Sequence, residues 1–311
     1  MVYTALDKEF SEPILARFEA KTGIRVLAKY DVEATKTVGL VNAIRGEKDR
    51  PRCDVFWNNE IVNTIRLKNE GLLQPYEPRA AAQFPAVFRD PDRCWTGFAA
   101  RARVLLVNTT LVRPEEEPSS IRALADPRWQ GKAGIARPIF GTTATHAACL
   151  FALLGEEKAV EFFDSLKRNQ VQVQSGNKQC ALQVAAGKLA FGLTDTGDAI
   201  IEVERGMPVK IVYPDSAADQ LGVLFIPNTV ALIRNAPHPE QGKQLIEYVL
   251  STEVEAALAA AASAQIPLNP NVTVQTRVKT PKDFKAMEVD FGKAAAAFQK
   301  SVEYMESRFL R

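Results

Sequence analysis

The stretch VYTALDKEFSEPILARFEAKTGIRVLAKY, residues 2–30, decides the fold. VYTAL is apolar and β-prone, and it stops at the charged pair Asp7 and Lys8. SEPILARFEAKTG carries apolar residues at helical spacing and closes on Gly23, as helices commonly close. IRVLAKY then reads as a second strand. The same rhythm returns downstream. TKTVGLVNAIRGE (35–47) reads as a helix, CDVFW (53–57) as a buried strand, and NNEIVNTIRLKNEGLL (58–73) as a helix ending at Gly71. Strands alternating with helices of this length need crossover connections, which places them in a mainly parallel α/β sheet.

Beyond residue 90 the rhythm breaks. CWTGFAARARVLLVNTTL (94–111) is long and apolar, and reads as a strand pair running from one lobe into another. A polar connector with a short helix, EEEPSSIRALADPRWQGK (115–132), leads to strand-like AGIARPI (133–139). Helices are expected over 142–155, 156–169, 177–188 and 197–207. Strands are expected over 171–176, 189–196, 209–215 and 222–234, the last returning the chain to the first lobe. The end reads as helical over 238–252, 253–263 and 281–311. The expected organisation is two α/β lobes, 1–103 with 229–276 and 104–228 with 277–311, and a ligand cleft between them.

Composition narrows the function. The 311 residues are 46% hydrophobic and 24% charged, ordinary for a globular protein. A net charge of +2, with lysines and arginines spread along the chain, gives no electrostatic support to a nucleic-acid or membrane-surface role. No run of about eighteen apolar residues is present to span a bilayer. The start, MVYTALDKEF, is already strand-like and shows no basic and hydrophobic leader. Either the protein is cytoplasmic or a leader precedes Met1.

Cys53, Cys94, Cys149 and Cys180 show no CxxC spacing, which disfavours a zinc or thioredoxin-like motif. Their even number leaves disulfides and buried thiols both open. Bridges, if formed, would join Cys53 to Cys94 and Cys149 to Cys180, each within one lobe. No GxSxG elbow, P-loop, HExxH or GxGxxG occurs, and neither His146 nor His238 has a catalytic motif beside it. A hydrolase or lyase acting in the cleft is therefore a remote alternative.

The ordered set VYTALDKEFSEPILARFEAKTGIRV, CDVFWNNEIVNTIRLKNEGLLQPY, FAARARVLLVNTTLV, LADPRWQGKAGIARP, GKLAFGLTDTGDA and SAQIPLNPNV resembles the family 1 extracellular solute-binding proteins of ABC importers. The branch it is most similar to holds the ferric-iron-binding proteins and their relatives that bind phosphonates or sugar phosphates. The resemblance implies an α/β, two-lobed periplasmic-binding-protein fold of the type II, transferrin-like kind. It further implies a hinge, an interlobe ligand cleft and delivery of the solute to a membrane permease. A periplasmic or extracytoplasmic monomer with no cofactor and no enzymatic activity is expected.

Ligands of open α/β sheets bind beyond the carboxyl ends of strands, where loops enter helices. TALDKE supplies Thr4 and Asp7, and FWNNE supplies Trp57, Asn58, Asn59 and Glu60. PIFGTTAT supplies Gly141, Thr142 and Thr143, QSGNK supplies Ser175 and Asn177, and LTDTGD supplies Thr194, Asp195, Thr196 and Asp198. Backbone amides and hydroxyls at helix starts suit an anion, although Ser, Thr and Asn also serve as ordinary caps. Asp7, Glu60, Asp195 and Asp198 suit a cation, either an ammonium, on which Trp57 could stack, or a hard metal, although Asp198 also reads as a helix-capping acid. Arg101 and Arg103 project the same way from a regular strand, so one of them could clamp an anion; a salt bridge is the commoner fate.

The ferric relatives characteristically place adjacent tyrosines where this chain has Thr196 and Gly197, and the first-loop ligand falls near Asp7. Only Glu60 matches a ferric ligand in that resemblance. No metal is therefore expected, with Glu60 and Asp195 as ligands should the ferric alternative hold. The leading expectation is a small anionic or zwitterionic organic solute of the aminoalkylphosphonate or organophosphate type.

Overall fold

The computed structural model describes residues 1–31 and 37–311. In chain order the first elements are β1 (Val2–Thr4), α1 (Lys8–Thr22), β2 (Ala28–Tyr30), α2 (Val38–Gly46), β3 (Val55–Asn58), α3 (Val62–Asn69) and β4 (Leu73–Gln74). Next come β5 (Thr96–Asn108), β6 (Ala133–Ala136), α4 (Gly141–Leu154), α5 (Glu156–Arg168), β7 (Gln172–Gln174) and α6 (Asn177–Ala185). The remainder is β8 (Phe191–Asp195), α7 (Thr196–Glu204), β9 (Val209–Val212), β10 (Phe225–Ile233), α8 (Pro239–Val249), α9 (Thr252–Ala260) and α10 (Phe291–Tyr304). The chain divides into two compact units. Unit 1 is Met1–Ala100 with Pro227–Thr276, and unit 2 is Arg101–Ile226 with Arg277–Arg311.

In unit 1, β1 lies parallel between β2 and β3, with Val2 opposite Ala28 on one side and Val55 on the other. β10 runs antiparallel to β3 and places Val230 opposite Trp57. Helix α1 buries Ser11, Ile14, Leu15 and Phe18, one face at helical spacing, and packs against α8 and α9. It ends where Gly23 adopts φ 72° and its N–H bonds the Glu19 carbonyl at 2.8 Å.

Unit 2 is built round β8, which lies parallel to β6 and antiparallel to β5, with β7 beyond β6 and β9 beyond β5. Its core gathers Leu105, Trp129, Ile135, Leu150, Phe163 and Phe191. Gly134 and Gly192 stand opposite each other on β6 and β8. That bare patch lets α6 press Cys180 into the sheet, and a β-carbon on Gly192 would overlap its sulfur. Gly192→Ala is expected to lower the unfolding free energy by about 1–3 kcal/mol through overpacking. Urea unfolding measures it, and Cys180→Ala in the same chain should return part of the loss. A neutral Gly192→Ala would mean that the helix can lift without cost.

The structure departs from the sequence expectations in specific places. Residues 94–111 form one buried 13-residue strand, β5, instead of a strand pair. The 115–132 connector makes three short 3-10 turns, at Pro114–Glu116, Ile121–Ala125 and Pro127–Trp129, because Pro114, Pro118 and Pro127 interrupt helical hydrogen bonding. The last helix begins at Phe291, ten residues later than expected, where the Asp290 side chain accepts from the Lys293 N–H. The second strand shortens to Ala28–Tyr30. The helix expected over 35–47 spans Val38–Gly46; residues 35 and 36 lie outside the described residues.

All four cysteines are free, buried thiols, so neither conditional disulfide is formed. Cys180 is wedged under Gly134 and Gly192, and burial pushes its thiol up to about 12, out of the reactive range.

Candidate functional site

Three helices of unit 2 start at loops singled out in the sequence. β8 runs straight into α7, with Asp195 as the last strand residue and the N-cap. α4 follows Phe140 and opens on Gly141 at φ 59°, and α6 follows the extended Gly176. None of the three N-cap residues, Phe140, Gly176 and Asp195, caps its helix with a side chain. The same holds for α1, α2, α3, α5 and α8; among the described α-helices only α9 and α10 are capped by their N-cap side chains, Ser251 and Asp290. The uncapped first turns keep backbone N–H groups and positive dipole ends for another acceptor.

A buried guanidinium ties these starts together. Arg103 on β5 stands directly opposite Asp195 in the antiparallel ladder. Its Nη1 donates to Asp195 Oδ1 at 2.7 Å, Asn177 Oδ1 at 3.0 Å and Thr142 Oγ1 at 3.2 Å. Its Nη2 donates to Thr143 Oγ1 at 3.2 Å. The other Asp195 oxygen accepts from Thr142 Oγ1 at 2.7 Å and Asn177 Nδ2 at 3.1 Å. Arg103 is fully buried and Asp195 almost so, and a pair at that depth is tolerable because neighbouring dipoles complete its hydrogen bonds.

This corrects the role given to Asp195. Both of its oxygens are committed inside unit 2, so it does not stand ready for a cationic amine. The threonines beside it are committed too. Thr194 Oγ1 donates to the Asn177 carbonyl at 3.0 Å, and Thr196 Oγ1 accepts from the Ala102 N–H at 3.1 Å. Ser175 is exposed just ahead of α6, Asp198 lies in the first turn of α7, and Arg101 is buried two residues before Arg103.

One turn into α4, His146 is buried with no hydrogen-bond partner on either ring nitrogen. It borders a small apolar cavity with Thr143, Leu150, Phe163 and Leu193. Burial, reinforced by the Arg103 charge, lowers its pKa from 6.5 to about 3. The ring is neutral at any ordinary pH.

In unit 1 the candidate acid Glu60 is fully buried and caps α3. Its carboxylate accepts from the Val62 N–H at 2.7 Å, the Asn63 N–H at 3.1 Å and Asn58 Nδ2 at 2.9 Å. Asn59 Oδ1 accepts from Thr37 Oγ1 at 2.8 Å. Trp57 has no exposed surface, and its ring packs on Phe98 at 5.6 Å between centroids. It is placed as a core side chain. Asp7 is the half-buried N-cap residue of α1, and its carbonyl starts the helix by accepting from Phe10 and Ser11.

The sequence put Arg101 among the ligand-binding candidates and left Arg103 out; the ladder opposite Asp195 makes Arg103 the centre of the network. Glu255 went unnoticed inside an alanine-rich helix that offers no motif. Among the described residues, no group of three or more His, Cys, Asp or Glu side chains is placed to hold a metal ion.

The chain belongs to the bacterial extracellular solute-binding proteins, whose family model matches residues 63–294. It is 25% identical to iron uptake protein A1 of Synechocystis over 98% of this chain and 85% of that one. A putative 2-aminoethylphosphonate-binding periplasmic protein of Salmonella typhi is 22% identical over 70% of this chain and 63% of its own length.

Among solved structures, iron-bound HitA from Pseudomonas aeruginosa superposes with a TM-score of 0.88 at 23% identity, covering 98% of each chain. The periplasmic binding protein AfuA from Actinobacillus pleuropneumoniae, with fructose-6-phosphate bound, gives 0.86 at 22% identity and covers 100% of this chain and 98% of its own. The fold is thus the two-lobed type II periplasmic-binding fold. The protein is an extracytoplasmic solute-binding protein, of a family that binds small molecules for ABC importers and consists of binding and transport proteins, not enzymes.

Proposed function

We propose that this chain captures a small anionic or zwitterionic organic solute of the aminoalkylphosphonate or organophosphate type and delivers it, as a monomer, to its permease. One observation carries the reading. The Arg103 network organises the starts of α4, α6 and α7, none of which has a side-chain cap. First-turn amides at Gly141, Thr142, Thr143 and Asn177, with the exposed Ser175 hydroxyl, then receive phosphonate or phosphate oxygens. Asp195 and Arg103 act as the frame of this site. In unit 1, Asp7 is the acid we assign to a cationic group, with Asn59 beside the start of α3.

The second reading is ferric iron, favoured by the iron-related names of similar proteins. The phenols of this chain argue against it, because a hard ferric ion selects phenolate. Tyr76 donates to Glu247 at 2.6 Å and Tyr304 to Asp164 at 2.7 Å. Burial, then the neighbouring Glu247 carboxylate, pushes Tyr76 up to about 12. Burial pushes Tyr213 to about 12 as well. None of the six tyrosines lies in the loops that form the candidate site.

Thermal shift and calorimetry with 2-aminoethylphosphonate, inorganic phosphate and ferric citrate test the proposal. A phosphonate at a hundred times its dissociation constant should add about 2.7 kcal/mol of stability. Tight ferric binding with no response to phosphonate or phosphate would reverse the order of the two readings.

A further inference from the structure

Beneath α4, unit 2 holds a small cavity walled by Ile135 of β6, Leu193 of β8, Phe163 of α5, and Thr143, His146 and Leu150 of α4. Thr143 and His146 carry the only polar side chains among the described residues that line it. His146 is 3% exposed, and neither of its ring nitrogens has a hydrogen-bond partner. A neutral imidazole carries one N–H donor and one acceptor, and leaving both unmet in the interior is costly.

Thr143 offers what the ring lacks. It precedes His146 by three residues, so the two side chains share one face of α4, with about 5–6 Å between their β-carbons. The Thr143 hydroxyl donates to Asn177 Oδ1 at 3.1 Å and accepts from Arg103 Nη2 at 3.2 Å. One lone pair is left for a further donor. The walls fix the class of molecule that can supply it. They carry no charged side chain, so a phosphate, a carboxylate or an ammonium ion would be buried uncompensated. A metal ion would find one imidazole and no Cys, Asp or Glu beside it. The space admits about one water-sized molecule. A purely apolar cavity stays dry, but here a ring and a hydroxyl supply the two polar partners that an interior water needs.

We propose that this cavity is a binding site for one structural water, which accepts from a His146 ring N–H and donates to Thr143 Oγ1. The other ring nitrogen keeps its lone pair, the form favoured near the Arg103 cation. The bridge makes His146 a positioning residue. With Arg103 and the water both donating to it, the Thr143 hydroxyl turns its own proton to Asn177 and so joins the starts of α4 and α6. The water site follows from unit 2 alone and is independent of which solute the chain takes.

The test is NMR of the isotopically labelled, ligand-free full chain. Under the proposal, one long-lived water gives Overhauser cross-peaks to the Thr143 methyl and the His146 ring protons, and the ring nitrogen shifts report a single neutral tautomer. His146→Gln keeps an N–H donor and retains the water cross-peak at Thr143. His146→Leu fills the space with hydrocarbon and loses it. Thr143→Val removes the acceptor and with it the water, so the His146 ring nitrogen shifts move. A wild-type spectrum with no water cross-peak at either side chain would show a dry cavity and overturn the proposal. A cross-peak that persists in His146→Leu, or ring nitrogen shifts indifferent to Thr143→Val, would overturn the bridge as well. Should either variant fail to fold, the wild-type cross-peaks and tautomer decide alone.

Discussion

Asp195→Asn is expected to destabilise the protein by about 3–5 kcal/mol, the usual cost of leaving one partner of a buried ion pair uncompensated. The aspartate is the only carboxylate bonded to the buried Arg103 guanidinium among the contacts described above, at 2.7 Å. An asparagine there still accepts from Arg103 but no longer balances its charge. Arg103→Met alone should cost a similar amount. Arg103→Met with Asp195→Leu should recover more than half of either loss, since a well-packed apolar pair often replaces a buried ion pair at little cost. Urea unfolding of these proteins together with the single variant Asp195→Leu closes the cycle. Solute affinity should fall in the single variants, because α4, α6 and α7 lose the frame that sets their starts. Wild-type stability in Asp195→Asn, combined with lost binding, would instead make Asp195 a direct ligand.

The second large effect belongs to His146 and pH. Its folded-state pKa, about 3, lies far below the 6.5 of an unperturbed imidazole, so the unfolded chain takes up a proton that the folded chain refuses. The sign follows from linkage. Stability from the neutral buried ring is fully present above about pH 6.5 and is lost progressively as pH falls toward 3. Between about pH 7 and pH 5 the loss attributable to this one residue is about 2 kcal/mol. Any folded pKa well under 5 predicts the same figure. His146→Leu removes the titration, so the difference in unfolding free energy between variant and wild type should move by that amount in the variant's favour over this interval. Parallel stability curves for the two proteins would show that the imidazole finds a proton-accepting neighbour on acidification.

The sequence was a good guide to elements whose signals are local. The strand–helix–strand rhythm of residues 2–30 stands in β1, α1 and β2, and Gly23 ends α1 as its position suggested. It misjudged residues 94–111, where uninterrupted apolar character was split into two strands; the chain stays in one strand from Thr96 to Asn108, with Ala99 at φ 42° and no turn. It also placed the start of the last helix too early, because the backbone around Ala286 pairs with Val223 instead, and Phe284 packs on Tyr213 and Phe225.

The site shows the same division. Sequence alone determined that the chain is an α/β solute-binding protein, and which loops carry its hydroxyls, amides and acids. The α/β class and the loops follow from periodicity, turn chemistry and residue type, all written within a few neighbouring positions; the solute-binding role follows from the ordered set of motifs shared with its family. Which charges remain available was decided only by the tertiary structure. Asp195 meets Arg103 across 92 positions of chain, and Glu255 reaches Ala99 across 156. The cost of burying a carboxylate depends on what surrounds it in space, and sequence distance carries no record of that.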